Sequence, residues 1–187
     1  MRWAQRLVPP WLLIRLADLT GRIILFRHRD SFDKNSPTHR GIHLWLEGAN
    51  AELYLDHLKP AIDLIDTYGP VYLRWIRTRF NAIVVSQLFM IMRTVTAVDV
   101  RRRFFAAHPY TVWRFSAEEL ALYLVGGATR GRLGRRFTRR GARVRADRCV
   151  LEEMIAFARR LPGSQELVTK WEHRLAEFNE HFPPAAA

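Results

Sequence analysis

The sequence contains one cysteine, Cys149, in 187 residues. A single thiol excludes an internal disulfide and a thiolate zinc cage, and it points to a reducing compartment. Long apolar runs are scarce as well. The longest stretch without a charged residue, Phe80–Met92, is 13 residues and includes Asn81, Ser86 and Gln87, whereas a membrane-spanning helix takes about 20 largely apolar ones. Near the N-terminus the apolar run Trp11–Ile14 is cut by Arg15 and Asp18, so no signal-peptide core is read there. No glycine-rich phosphate loop with a lysine, no serine-centred nucleophile elbow and no internal repeat occurs. What the sequence has in excess is positive charge. Thirty lysines and arginines, nearly all arginine, stand against 18 acids, for a net charge of +12. Such a balance implies an acidic partner, whether protein, nucleic acid or an anionic membrane surface, or an arginine-rich background composition, and it carries no information about fold.

With 49% apolar residues the chain is long enough for one domain with a sizeable core, with or without a short appendage. Residues 10–27 place Leu12, Leu16, Leu19, Ile23 and Phe26 at helical spacing with Arg15, Asp18 and Arg22 on another face, an amphipathic helix that docks on the core or lies on a membrane surface. The polar loop Asp30–Arg40 is the candidate boundary, dividing the chain into an N-terminal helix and loop, 1–40, and a helical domain, 41–187. Leu53, Leu55 and Leu58 predict a helix that stops at Pro60, with a second short helix over Pro60–Tyr68 ending at Gly69, and a third over Pro70–Arg79. Ala82–Val85 and Thr94–Val100 read as strands. A helix from Gly163-Ser164 onward carries Val168, Trp171, Leu175, Phe178 and Phe182 on one stripe.

The chain is organised around 116–160. Ser116 with Glu119 forms a capping box, followed by the apolar run Leu120–Val125, then Gly126-Gly127-Ala-Thr-Arg130-Gly-Arg132-Leu133, an arginine-dense segment and a helix over Ala146–Arg160. This series resembles small bacterial zincin-like metallopeptidase domains over roughly 60–168. In that family a helix reading Leu-Val-His-Glu-Ala-x-His follows a short sheet; two histidines bind zinc, the glutamate acts as general base and a later helix supplies a third ligand. The resemblance implies an α+β fold, mainly helical, with a small sheet of two to four strands packed on a central zincin-like helix. It also implies that the chemistry is lost. Gly126, Gly127 and Arg130 stand where the first histidine, the glutamate and the second histidine would be, and a guanidinium repels a divalent cation. Glu153, one turn after Cys149, is the residual candidate for a metal ligand. Cys149 itself reads as a small buried apolar group rather than a nucleophile. No catalytic residue, metal or cofactor is assigned.

The same stretch has another reading. Nine arginines against one acid occupy 130–148, and four glycines at 126, 127, 131 and 134 weaken helix propensity by about 1 kcal/mol each. If the helix stops at Val125, then Arg130, Arg132, Arg135, Arg136, Arg139, Arg140, Arg143 and Arg145 belong to a basic arm that binds nucleic-acid phosphates. Three functions follow: a catalytically inactive zincin-like binding or scaffold module, a nucleic-acid-binding protein using 130–148, or a peripheral membrane protein anchored by 10–27. Each is consistent with a cytoplasmic location, the last at the inner membrane surface.

Overall fold

The computed structural model describes residues 37–46, 51–80, 82–85, 96–98, 103–107, 112, 114–133 and 140–183. The expected helix over 10–27 and the segment 134–139 lie outside them. Two short strands open the described chain, β1 (Thr38–His39) and β2 (Ile42–Leu46), paired antiparallel with His39 opposite Ile42. Arg40 and Gly41 form the turn between them with φ of 48° and 72°. Positive φ at both positions gives the turn a twist that matches that of the strands. A non-glycine residue is held in this conformation by its neighbours: Arg77 Nε donates to the Arg40 carbonyl at 2.6 Å, and Arg40 Nε donates to Asp63 at 2.7 Å.

Helices α1 (Ala51–Tyr68) and α2 (Pro70–Arg79) follow. The predicted break at Pro60 does not occur, and α1 runs through it. Pro60 and Asp56, whose carbonyl the proline leaves without a donor, are exposed while Leu58, Ala61, Ile62 and Ile65 are buried, so the opposite face anchors both halves to one core. The predicted start of α2 is observed, with Pro70 in its first turn after Gly69. Its return leads into β3 (Ala82–Val85), which pairs parallel to β2, with Leu44 opposite Ile83. A parallel pair needs such a helical crossover. All four β3 residues are buried, as expected of a strand covered on both faces.

Strand β4 (Thr96–Val98) and strand β5 (Arg103–Ala107) complete a five-stranded sheet of order β1-β2-β3-β5-β4. β5 runs parallel to β3, and β4 antiparallel to β5. The sheet has one strand more than the two to four anticipated.

Helix α3 (Ala117–Leu133) starts at the predicted capping box, in which Glu119 N–H donates to Ser116 Oγ at 3.2 Å and Ser116 N–H donates to the Glu119 carboxylate at 3.4 Å. It does not stop at Val125. Leu120, Leu124, Val125, Gly126, Ala128, Thr129 and Gly131 are all buried, and α1, α2 and α4 (Arg140–Ala158) surround the helix. Burial against three neighbours outweighs the poor propensity of the glycines. Two of them are required by close approach: a Cβ on Gly126 would lie 2.8 Å from Met154 Sδ, and one on Gly131 would lie 2.8 Å from the Phe80 ring. α4 begins six residues earlier than expected. Helix α5 (Gln165–His181) packs on α4 with Val168 and Trp171 buried. Sheet residues Ile42, Leu44, Ile83 and Val85 join the helices in one core. The fold is α+β and mainly helical, with a small mixed sheet.

Candidate functional site

Of the positions that the zincin-like resemblance singles out, Gly126 is closed by packing, Gly127 is half-buried and Arg130 is exposed. Gly126 meets Val150 and Met154 of α4, and Arg130 pairs with Asp147 on the same helix. α4 therefore covers the first position of a His-x-x-x-His pair on α3 but not the second. Glu153 points elsewhere. Its carboxylate accepts a hydrogen bond of 2.6 Å from the Tyr72 hydroxyl and lies 3.9 Å from the Arg132 guanidinium. Burial first, and then the Glu153 carboxylate, hold the Tyr72 hydroxyl well above the ordinary tyrosine range. Among the described residues no group of three histidine, cysteine, aspartate or glutamate side chains is arranged to hold a metal. Burial together with Glu153 and Glu152 also pushes the Cys149 thiol up, the opposite of what activates a thiolate.

Around Glu153 a set of aromatic and arginine side chains converges from three helices. Trp75 of α2 lies edge-on to Tyr72 at 5.2 Å between ring centroids, and Tyr72 in turn lies edge-on to the buried Phe157 of α4 at 5.6 Å. The Arg132 guanidinium sits over the Trp75 ring, 4.4 Å from its centroid, and that of Arg160 lies 5.9 Å from the centroid of Tyr72. The sequence reading missed Tyr72 and Trp75. Their spacing of three beside Arg74 and Arg77 was visible, but it is also what an ordinary half-buried helix face looks like.

The arginine-rich stretch divides into two groups. Arg130 is tied to Asp147, Arg132 to Trp75, and Arg148 donates to Asn179 at 2.8 Å and to the Phe182 carbonyl at 2.5 Å. These three join α3, α4 and the end of α5 to their surroundings. Arg143 and Arg145 are exposed on the first turns of α4 and have no ion-pair partner among the described residues. Arg140 opens the helix, while Arg135, Arg136 and Arg139 lie outside the described residues. The segment is thus helical over 130–133 and 140–148, which corrects, for those residues, the reading of 130–148 as an arm beyond a helix that stops at Val125. Over all described residues 17 lysines and arginines face 13 acids, so most of the excess charge belongs to the remainder of the chain.

Two other groupings are structural. His39 and His43, four apart in sequence, flank the β1–β2 turn: His39 bonds Asp63 at 3.0 Å and His43 bonds Thr38 at 3.2 Å. The Asp63 carboxyl is lowered, chiefly by its hydrogen bond from Arg40, with His39 adding to the effect. A groove of about 570 Å³ between the N-termini of α3 and α5 is lined by Ser116, Glu118, Glu119, Ser164, Glu166 and Lys170 among others. Its serines are committed: Ser116 caps α3, and Ser164 donates to the Ala158 and Leu161 carbonyls. No helix among the described residues is long and apolar enough to cross a membrane. Compared with protein-family models, curated proteins and solved structures, the chain matches none of them.

Proposed function

We propose that this chain is a non-catalytic binding module whose partner is nucleic acid, engaged through the arginines of α4. The observation that carries the reading is the division of the arginines. Those needed to join helices are paired, whereas Arg143 and Arg145 are exposed, and nothing among the described residues neutralises them. Arginines set free of internal partners bind phosphates by releasing counterions, without sequence selectivity. A non-catalytic role is supported by the hydrogen-bonded Glu153 and by the packing of α4 on Gly126. Binding to random single-stranded RNA or DNA should weaken steeply as salt rises. Replacing Arg143 and Arg145 with glutamine should flatten the salt slope by about 2, one for each arginine that no longer neutralises a phosphate. Equal slopes for wild type and variant would move the site elsewhere, and binding to anionic vesicles in preference to oligonucleotides would favour the membrane.

A second reading keeps the zincin-like resemblance, with the domain retained as a scaffold. It draws on the order of elements: a small sheet, then a capped central helix, then a helix carrying Glu153. Its test is metal content. The purified protein should hold no stoichiometric zinc, whereas restoring Gly126→His, Gly127→Glu and Arg130→His should create a site for one zinc per chain where the geometry is zincin-like. A restored chain that is folded by circular dichroism yet gains no zinc would count against the reading.

A further inference from the structure

We infer that Trp75, with Arg132 over it, is a stacking platform for an unpaired base, so that the nucleic acid bound is single-stranded. The inference rests on the nucleic-acid reading above and deepens it. Three features of the site point the same way.

The first is that the indole is held in place without being buried. Trp75 is half-buried on α2, and its orientation is constrained by the edge of Tyr72. Tyr72 is immobilised by its hydroxyl bond to Glu153 and by the Phe157 ring. A ring fixed before the ligand arrives costs little ordering entropy when a base stacks on it.

The second is the cation. Arg132 belongs to the last turn of α3, and its side chain is 41% exposed. Its carboxylate neighbour lies at 3.9 Å, a loose ion pair that water screens. Held over the ring and still exposed, this guanidinium can meet a phosphate while the indole takes a base, which combines the aromatic face and the positive charge that single-strand binding uses.

The third is position. Arg74 is exposed on the same helix, next to Trp75 in sequence. Arg130, two residues before Arg132, is half-exposed and reaches the first half of α4 through Asp147, on the helix that carries Arg143 and Arg145. The platform meets α4 at Glu153 and Phe157, roughly 15 Å along the helix from Arg143, a distance that a single strand spans. Duplex DNA keeps its base faces stacked and offers nothing to the indole; a single strand offers both a base and a backbone.

The test uses the full chain and fluorescein-labelled oligouridine of about 20 nucleotides, long enough to cover such a site, beside a duplex of the same length, read by anisotropy over a range of salt. The single strand should bind more tightly than the duplex. Trp75→Leu should weaken single-strand binding about tenfold, within the range found for losing one base–aromatic stack, and leave duplex binding and the salt slope unchanged. Trp75→Phe should restore most of the loss. Unlabelled oligouridine should quench the tryptophan emission of the wild type and quench that of Trp75→Phe much less, a readout that holds even if Trp75→Leu fails to fold. Salt-dependent binding with undiminished quenching in Trp75→Phe, or a preference for duplex, overturns this inference and leaves the arginine reading standing. Absence of binding to either polymer overturns both.

Discussion

Helices α3 and α4 are neighbours in sequence and in space, yet they are helical for different reasons. α3 carries three glycines within six residues, 126, 127 and 131, and by propensity alone it would fray. It persists because nearly every side is buried, and because Gly126 and Gly131 let Met154 and Phe80 come closer than a side chain would allow. The first turns of α4 are the reverse. They expose Arg143 and Arg145, and arginine is a good helix former that needs little packing. One helix is made by its surroundings; the other leaves its charges exposed. In α3 residue identity is set by space, and at the start of α4 packing leaves it unconstrained.

Phe157 is fully buried where α4 meets α2. Phe157→Ala should destabilise the domain by about 3–5 kcal/mol in denaturant unfolding, from the lost burial and the cavity left behind. A cost near 1 kcal/mol would mean that α4 is not anchored there.

Substitutions at the glycines of α3 sharpen the comparison. Gly131→Ala should cost about 1–3 kcal/mol, because the new methyl meets a rigid Phe80 ring at 2.8 Å. Gly126→Ala should cost less, since the atom it meets is the thioether of Met154, at the end of a flexible side chain. Equal costs, or a gain at Gly131, would show that packing does not dictate these residues.

The Tyr72–Glu153 contact supplies a pH dependence. The hydroxyl titrates above its unfolded value of about 10, so its contribution is complete below that pH and is lost as pH rises through the folded value. Wild type should therefore lose stability in alkali beyond pH about 10, and Tyr72→Phe should lose less over the same range. Parallel profiles would remove the buried hydroxyl from the account.

The smallest stability effect belongs to the exposed end. Arg143→Gln together with Arg145→Gln should change unfolding free energy by no more than about 0.5 kcal/mol while flattening the salt dependence of nucleic-acid binding. A large loss of stability would mean that these arginines have structural partners after all.

Much of this fold is legible in local chemistry. Ser116 and Glu119 announce the start of α3, Pro70 that of α2, and the β-branched run Ala82–Val85 a buried strand, because capping, proline geometry and continuous apolar burial act over a few residues. The charge excess and the single cysteine are properties of composition. What the sequence by itself left open depended on contacts distant along the chain. Pro60 sits inside α1 because it and Asp56, whose carbonyl it leaves without a donor, are exposed while four buried neighbours hold the helix. Gly126 and Gly127 are helical because three other helices enclose them, although the same residues read locally as a stop. Which arginines are structural and which are free was likewise not written in their spacing. Asp147, Asn179 and Trp75 decided it by where folding placed them, since an ion pair or a ring contact forms between side chains that the fold brings within a few ångströms, whatever their separation in sequence.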